Sequence, residues 1–174
     1  MNFVFISSTD RLHFSGSRSP PGQNEDSTMA HQRTLQNFGG NVHWTPSHYY
    51  QPKTEQKLLA ILEQHKGEQV RAVASLHSWS PVAATRGVTL DLRALDGVRV
   101  LAQEESVWLG AGCTIQRALQ QLRKKDWTLP TLGAIKKQTI AGAISTGTHG
   151  SGSPGLSHFV QAVRLARYCP HSKT

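Results

Sequence analysis

Hydrophobic residues recur at helical spacing in two stretches of the chain. A helix is expected over residues 55–66, because leucine and isoleucine recur there every three or four positions and Thr54 can cap the first turn. Its apolar face would consist of Leu58, Leu59, Ile61 and Leu62. A second helix is expected over residues 115–125, after Thr114. Its inward side chains would be Ile115, Ala118, Leu119 and Leu122.

Four other stretches carry the alternating or β-branched apolar residues that are typical of strands. They cover residues 70–74, 88–92, 98–101 and 106–111. The last two would form a pair that turns at Glu104 and Glu105, whereas residues 75–86 are expected to be a loop. Helices and short strands in this arrangement predict an α+β fold, with a small mixed sheet and helices packed on it.

The same pattern divides the chain into a tail and a domain. Residues 1–33 predict a disordered tail, because residues 15–22 are rich in turn formers and the polar stretch after them has no apolar period. The folded domain is expected over residues 34–166. With 174 residues, of which 37% are hydrophobic and 17% charged, the chain can bury one ordinary core.

Charge and composition exclude several classes of function. The net charge is +8, but the basic residues are scattered, and residues 123–125 close a predicted helix, where cations suit the dipole. Aromatic residues do not interleave with them, so a phosphate-bearing cofactor is a better partner than a nucleic acid. No apolar run approaches the ~20 residues of a membrane span. Cys113 and Cys169 form no disulfide scaffold, which predicts a reducing, cytoplasmic setting.

The first candidate for chemistry is the stretch Ala74-Ser75-Leu76-His77-Ser78, which leaves a predicted strand. Small and hydroxyl residues there could turn several N–H groups toward one anion, as in a phosphate cradle. This stretch is not a GxxxxGK[ST] loop, and it holds no GxGxxG fingerprint. On these residues alone, a polar surface loop with one histidine is the favoured alternative.

The second candidate is the segment 139–150 (TIAGAISTGTHG), within a stretch that holds six glycines between Thr131 and Gly155. Glycine costs ~1 kcal/mol against alanine in a helix, and its use here would be to bring backbone N–H groups close to a ligand. A short helix is expected to begin near Thr139, with Gly142 in the first turn, where free N–H groups attract phosphate. On these residues alone, ligand contact and a flexible glycine loop stay equally open.

Seven pieces of sequence, these two among them, occur in one order along the chain. They are Gln36-Asn37-Phe38-Gly39, Tyr50-Gln51-Pro52, the loop 73–80, residues 90–95, Gly110-Ala111-Gly112, residues 129–133 (LPTLG) and TIAGAISTGTHGSG at 139–152. Together they resemble the FAD-binding domain of the vanillyl-alcohol-oxidase and p-cresol-methylhydroxylase superfamily, within it the sugar-1,4-lactone oxidases and the alditol oxidases. The resemblance covers roughly residues 35–165. It implies a two-subdomain FAD-binding fold whose second α+β subdomain only begins in this chain.

The resemblance also implies which residues meet the cofactor. In the family, the loop after the first strand wraps the FAD pyrophosphate with backbone amides, and the glycine-rich segment contacts the diphosphate and the flavin. Matched residue by residue, the cofactor contacts are Ala72, Val73, Ala74, Ser75, Leu76, His77, Ser78, Ala134, Thr139, Gly142, Thr146, Gly147, Thr148 and His149. His77 stands where many members carry a covalent bond from a histidine ring to the flavin 8α-methyl group. No metal ligand is expected, and the catalytic groups are expected outside this chain.

The chain departs from the family in the loop and at its end. Ala74 and Leu76 stand where many relatives have glycine, and residues 167–174 no longer follow the family pattern. A truncation before the substrate domain is therefore expected, with little or no activity of this polypeptide alone. The implied activity is oxidation of a CH–OH group of a sugar-1,4-lactone or polyol. A non-catalytic FAD-binding remnant and a relative of the FAD-dependent cell-wall-precursor reductase are the alternatives.

Overall fold

The computed structural model describes the backbone of Val4–Phe5 and then residues 33–167. The helices in this part are α1 (Glu55–Gln64), α2 (Ile115–Arg123) and α3 (Ile140–Ser145). The strands are β1 (Val4–Phe5), β2 (Leu35–Gln36), β3 (His43–Trp44), β4 (His48–Tyr50), β5 (Val70–Val73), β6 (Val88–Asp91), β7 (Val98–Leu101), β8 (Ser106–Leu109) and β9 (Leu165–Ala166). The structure is therefore a mixed helix-and-sheet fold with small sheets, as the sequence predicts.

Helix α1 begins where the sequence predicts and buries a narrower face. The Thr54 hydroxyl accepts a hydrogen bond from the backbone N–H of Lys57 at 3.2 Å, which satisfies one of the free donors of the first turn. Leu58 and Leu62 are buried, whereas Leu59 is 42% exposed. The predicted inward position of Leu59 is wrong. Ile61 packs partly buried beside Leu58 and Leu62, and Leu59 lies outside this face, in solvent.

Helix α2 is also capped by a threonine and buries a wider face. The Thr114 hydroxyl caps it by accepting from the N–H of Arg117 at 3.1 Å. Ile115, Ala118 and Leu122 are buried, and Leu119 packs partly buried beside them. The helix ends at Arg123, so the predicted end at residue 125 is two positions too late.

The central sheet is three-stranded and parallel, in the order β4-β6-β5. His48 pairs with Val88 on one side, and Val70 pairs with the same residue on the other. All four residues of β6 are buried, as expected of a strand covered on both faces. Asp91, the last of them, is paired with Val73, so the polar end of β6 lies beside the end of β5.

Strands β7 and β8 form a separate antiparallel pair. The chain directly after β8 packs against the turn that follows β6, and two glycines make this contact. A Cβ atom on Gly110 would lie 2.2 Å from the carbonyl oxygen of Leu95, and one on Gly112 would lie 1.9 Å from that of Leu92. Backbone contact this close leaves no room for a side chain at either glycine. The strands that were expected in a small mixed sheet form a parallel sheet with a hairpin packed beside it.

Three groups of buried apolar side chains hold these pieces together. The first joins α1 to the central sheet and contains Leu58, Leu62, Val70, Val88, Leu90, Leu92, Ala111 and Ala166. The second joins the β2–β3 hairpin to β5 through Leu35, Trp44 and Val73. The third joins α2 to α3 through Ile115, Ala143 and Leu156. The second and third groups lie directly under the two sequence segments that predict chemistry.

The predicted tail segments fall almost entirely outside the described residues. In residues 1–33 the structure describes β1, which pairs antiparallel with β9, and Arg33, whose guanidinium lies 4.5 Å from the ring centre of Tyr49. In residues 167–174 it describes Arg167 alone. No helix in the described part of the chain is long and apolar enough to cross a bilayer.

Candidate functional site

The first half of the candidate site is the loop that leaves β5. Ala72 and Val73 belong to the strand itself, and the Val73 side chain is buried in the core, so only its backbone can face a ligand. Leu76 adopts a φ of +57°, a left-handed conformation that costs a side chain roughly 1–2 kcal/mol. Its side chain packs on the buried cluster of Leu35, Trp44 and Val73. This contact offsets the strain and explains how a leucine stands where many relatives have glycine.

The backbone of this loop presents unused hydrogen-bond donors. None of the N–H groups from Ser75 to Ser78 donates to another described residue of the chain. The side chains of these four residues are only half-buried, so their amides lie near the surface. Successive free amides at the end of a strand form a concave site for an anion.

The second half of the site is the short helix α3 and its entry. The helix begins directly after Thr139, near the predicted position, and Thr139 itself has extended backbone. The N–H of Ile140 donates to the carbonyl oxygen of Cys113 at 2.8 Å, which fixes the first turn against the loop before α2. A Cβ atom on Gly142 would meet only the Thr139 hydroxyl oxygen, at 3.6 Å. Nothing within the described chain therefore requires glycine at 142, and the space above it is open to a ligand.

The segment after α3 is held by its own hydrogen bonds. The Thr146 hydroxyl donates to the carbonyl oxygen of Gly142 at 2.9 Å, and the N–H of Thr148 donates to that of Ala143 at 3.1 Å. Gly147 has a φ of +67°, which only glycine adopts without strain. These contacts make residues 146–148 a fixed turn, which argues against the flexible-loop alternative.

His149 and Ala134 are less closely tied to the site. Both are exposed. A ring nitrogen of His149 lies 3.1 Å from the carbonyl oxygen of Gly150, whose own N–H donates to the Thr131 hydroxyl at 3.0 Å. No hydrogen bond among the described residues joins either of them to the loop of Ser75.

One hydrogen bond brings the two halves of the site together. The backbone N–H of Thr139 donates to the Ser75 hydroxyl at 3.2 Å, although the two residues are 64 positions apart. Thr139 is 3% exposed, so this bond lies in the interior beneath the surface amides. The loop therefore lies beside the entry of α3, where the N–H groups of Ala141 and Gly142 donate to no other described residue.

The β2–β3 hairpin braces the loop, a role that the sequence analysis did not assign. Asn37 is 5% exposed, and its side-chain amide donates to the carbonyl oxygen of Ser78 at 2.9 Å. The N–H of Phe38 donates to the carbonyl oxygen of Leu76 at 2.8 Å. The position of Gln36 to Gly39 in the family order was the available signal, but these residues are distant in sequence from the loop.

Phe38 also fixes the ring of His77. The two rings stack with centroids 4.5 Å apart and planes 28° apart, and Trp79 meets Phe38 edge-on at 6.4 Å. Phe38 and Trp79 are 63% and 67% exposed. Large aromatic side chains exposed around a half-buried imidazole form an apolar surface suited to a flat ring.

A buried carboxylate anchors the polar end of the central sheet. Asp91 accepts from Nε of Arg93 at 3.0 and 2.9 Å and from the Tyr49 hydroxyl. Burial raises the pKa of Tyr49, and the hydrogen bond to Asp91 raises it further. The hydrogen bond to Asp91 likewise raises the pKa of Arg93. This network holds Asp91 opposite Val73, one residue before the loop begins.

The comparisons with known proteins identify the family and the fold. A family model described as an FAD binding domain matches residues 46–167. A long-chain alcohol oxidase from an uncultured marine euryarchaeote is 49% identical over 142 residues, which are 80% of this chain and 30% of that protein. D-arabinono-1,4-lactone oxidase from Eremothecium gossypii is 33% identical over 134 residues, 73% of this chain and 25% of that protein. Cholesterol oxidase from Brevibacterium sterolicum shares the fold, with a TM-score of 0.60 and 22% identity, over 76% of this chain and 27% of that one.

The chain is thus an FAD-binding domain of the flavin-dependent oxidoreductases. It belongs to the family of that description, which the match establishes over most of the chain, and its relatives are sugar-lactone and alcohol oxidases. The prediction of the domain and of its fold is confirmed. The chain spans 30% and 25% of the length of the two relatives.

Proposed function

We propose that FAD binds across the loop 74–78 and the first turn of α3, with its pyrophosphate on the free backbone amides. The observation that carries this proposal is the Thr139-to-Ser75 hydrogen bond, which makes the two amide-bearing segments neighbours. A diphosphate needs several donors converging from one side. The loop offers the N–H groups of residues 75–78 and α3 offers those of Ala141 and Gly142, none of which donates to another described residue. The open space at Gly142 leaves room for the ligand to approach the helix backbone.

The other residues that the sequence predicts to contact FAD would support this site or lie at its edge. Ala72, Val73 and Ala74 would contribute backbone, while Gly147 and Thr148 would border the flavin from the fixed turn after α3. Thr146 would act through its hydroxyl, which caps the end of α3. Ala134 and His149 would contact the cofactor from the exposed rim.

We further propose that His77 forms a covalent bond to the 8α-methyl carbon of the flavin. Stacking on Phe38 holds the imidazole in one plane, which reduces the entropy lost on bond formation. An imidazole nitrogen of His77 would replace one hydrogen of the methyl group. Two protons and two electrons leave in that step, and dioxygen takes them up as hydrogen peroxide.

The whole protein would oxidise a CH–OH group, with bound FAD accepting the hydride. We propose a sugar-1,4-lactone or a polyol as substrate, supported by the lactone oxidases among the relatives. A long-chain alcohol is the second candidate, because the relative of that name has the higher identity, 49% against 33%. The buried free thiol of Cys113 supports a reducing, cytoplasmic compartment. Since the relatives are much longer, we expect this polypeptide with FAD to turn over neither substrate class appreciably; rates near those of full-length relatives would contradict this.

Flavin fluorescence tests the cofactor proposals. Purified wild-type chain should be yellow and should fluoresce in a denaturing gel. The His77→Ala variant should lose fluorescence in the gel and still bind FAD reversibly in solution. His158→Ala, a change of an exposed histidine outside the site, should behave as wild type. Persisting gel fluorescence of His77→Ala would place the link elsewhere, and absence of FAD binding by every variant would refute the site itself.

A further inference from the structure

A second cluster of chemically competent side chains lies at the start of β4, at the opposite end of the central sheet from the loop 74–78. His48 begins β4, His65 closes α1, and Glu68 lies in the turn that follows. One ligand atom from each of these three side chains lies within 4.8 Å of the other two. Imidazole nitrogen and carboxylate oxygen are the donors that bind zinc and its neighbours in proteins.

His65 is the buried member of the cluster, and both of its ring nitrogens are engaged. Its Nδ1 lies 3.0 Å from a carboxylate oxygen of Glu68, and its Nε2 lies 2.9 Å from the Tyr50 hydroxyl. The residue is 5% exposed, whereas the Glu68 side chain is 46% exposed. His65 can donate Nδ1–H to Glu68 and accept from the Tyr50 hydroxyl. In the other tautomer Nε2–H donates to Tyr50, and the lone pair of Nδ1 faces the carboxylate in a position to bind a cation between them. A histidine whose second nitrogen is fixed by a hydrogen bond is the usual form of a metal ligand.

The ring of His48 is oriented by a neighbouring hydroxyl. Ser47 donates its hydroxyl proton to the carbonyl oxygen of Gly87 at 3.0 Å. Its oxygen, 3.1 Å from Nδ1 of His48, is left to accept the Nδ1–H. In that tautomer Nε2 of His48 carries the lone pair that a metal ion requires. The imidazoles of His48 and His65 have centroids 4.7 Å apart, so the two bases already lie side by side.

The spacing of His65 and Glu68 fits a small tetrahedral ion, and the ligand atom of His48 lies within 4.8 Å of both. Ligands at 2.0–2.1 Å from zinc in tetrahedral geometry lie about 3.3 Å from one another. The Nδ1-to-oxygen distance of 3.0 Å between His65 and Glu68 would widen by only a few tenths of an ångström. Three protein ligands leave one position for water, which the exposed Glu68 side of the cluster admits.

We propose that His48, His65 and Glu68 bind one divalent late first-row transition-metal ion, with Zn²⁺ as the representative of the class. The ion would tie the carboxyl end of α1 to the edge strand β4, in addition to the ring contacts and the Tyr50 hydrogen bond of His65. Binding to the folded state alone raises the stability of the domain, by linkage. The site lies apart from the proposed FAD region and needs no cofactor.

Zinc binding to the untagged, chelator-treated full chain tests the proposal. Titration with Zn²⁺ against a chromophoric chelator should show one saturable ion per chain, and Zn²⁺ should raise Tm. Glu68→Gln and His48→Gln should each weaken zinc affinity by at least about tenfold and abolish the rise in Tm. The exposed His158→Gln serves as the matched control and should bind as wild type. Because Glu68 is largely exposed, its variant keeps the test valid if His48→Gln fails to fold. No saturable binding by the wild type, or wild-type affinity in Glu68→Gln, would overturn the site.

Discussion

Replacing Gly142 by alanine should separate stability from cofactor affinity. Gly142 is the third residue of α3, and the added Cβ atom would meet only the Thr139 hydroxyl oxygen at 3.6 Å, an ordinary contact. Alanine also favours helix over glycine by ~1 kcal/mol. The free energy of unfolding should therefore rise by about 0.4–1 kcal/mol, which raises Tm by roughly 1–4 °C in a chain of this size.

FAD affinity should respond in the opposite direction. The new methyl group would occupy the space through which the diphosphate approaches the helix backbone. We expect affinity to fall at least tenfold, about 1.4 kcal/mol. Binding is best measured by flavin fluorescence in the His77→Ala background, where attachment cannot mask a weak equilibrium, and stability by urea denaturation of the same preparations.

Gly97→Ala supplies the matched control for this experiment. A Cβ atom on Gly97 would meet nothing within 4 Å, and its φ is not in the left-handed range. The control should therefore keep its FAD affinity. Unchanged FAD affinity of Gly142→Ala would show that the ligand does not approach α3 there. A lower free energy of unfolding in Gly142→Ala would show that the folded chain has no room for a methyl group at this position.

Three further outcomes follow from the structure. Ser75→Ala leaves the buried N–H of Thr139 without its acceptor and should lower the free energy of unfolding, measured by urea denaturation, by about 1–3 kcal/mol. Ser157→Ala removes an exposed hydroxyl and should change it little. Leu58→Ala should lower the free energy of unfolding by about 2–5 kcal/mol, because Leu58 is fully buried. Leu59→Ala, at a 42% exposed position, should lower it by less than about 0.5 kcal/mol. Equal losses would refute the observed buried face of α1. Burial raises the pKa of the Cys113 thiol to about 11 from 9.0, so the stability that this group contributes should be full below pH 9 and decline as pH rises toward 11. The urea midpoint measured across that range should fall more steeply for wild type than for Cys113→Ala, and parallel profiles would contradict the assignment.

Local chemistry explains why the helices were predictable. Thr54 and Thr114 each stand one residue before an apolar period, and a side-chain cap needs only residues three positions away. Thr139 likewise stands directly before α3, although its side chain makes no capping hydrogen bond. By contrast, β2 and β3 have two residues each, too short for any period to show. Strand β4 reads as His-Tyr-Tyr, which carries no alternation, and was missed for that reason.

The site was predictable as two segments and not as one surface. Each segment has its own signal, hydroxyl and small residues around Ser75 and glycines around Gly142, because free amides require such residues locally. Their meeting depends on a hydrogen bond across 64 positions and on Asn37, whose amide reaches the carbonyl oxygen of Ser78. Neither contact leaves a periodic or compositional trace. The same long-range contacts fix the loop before any ligand arrives, so the cofactor would bind a largely preformed site. Substitutions at Asn37 should therefore weaken FAD binding, although Asn37 itself would not contact FAD.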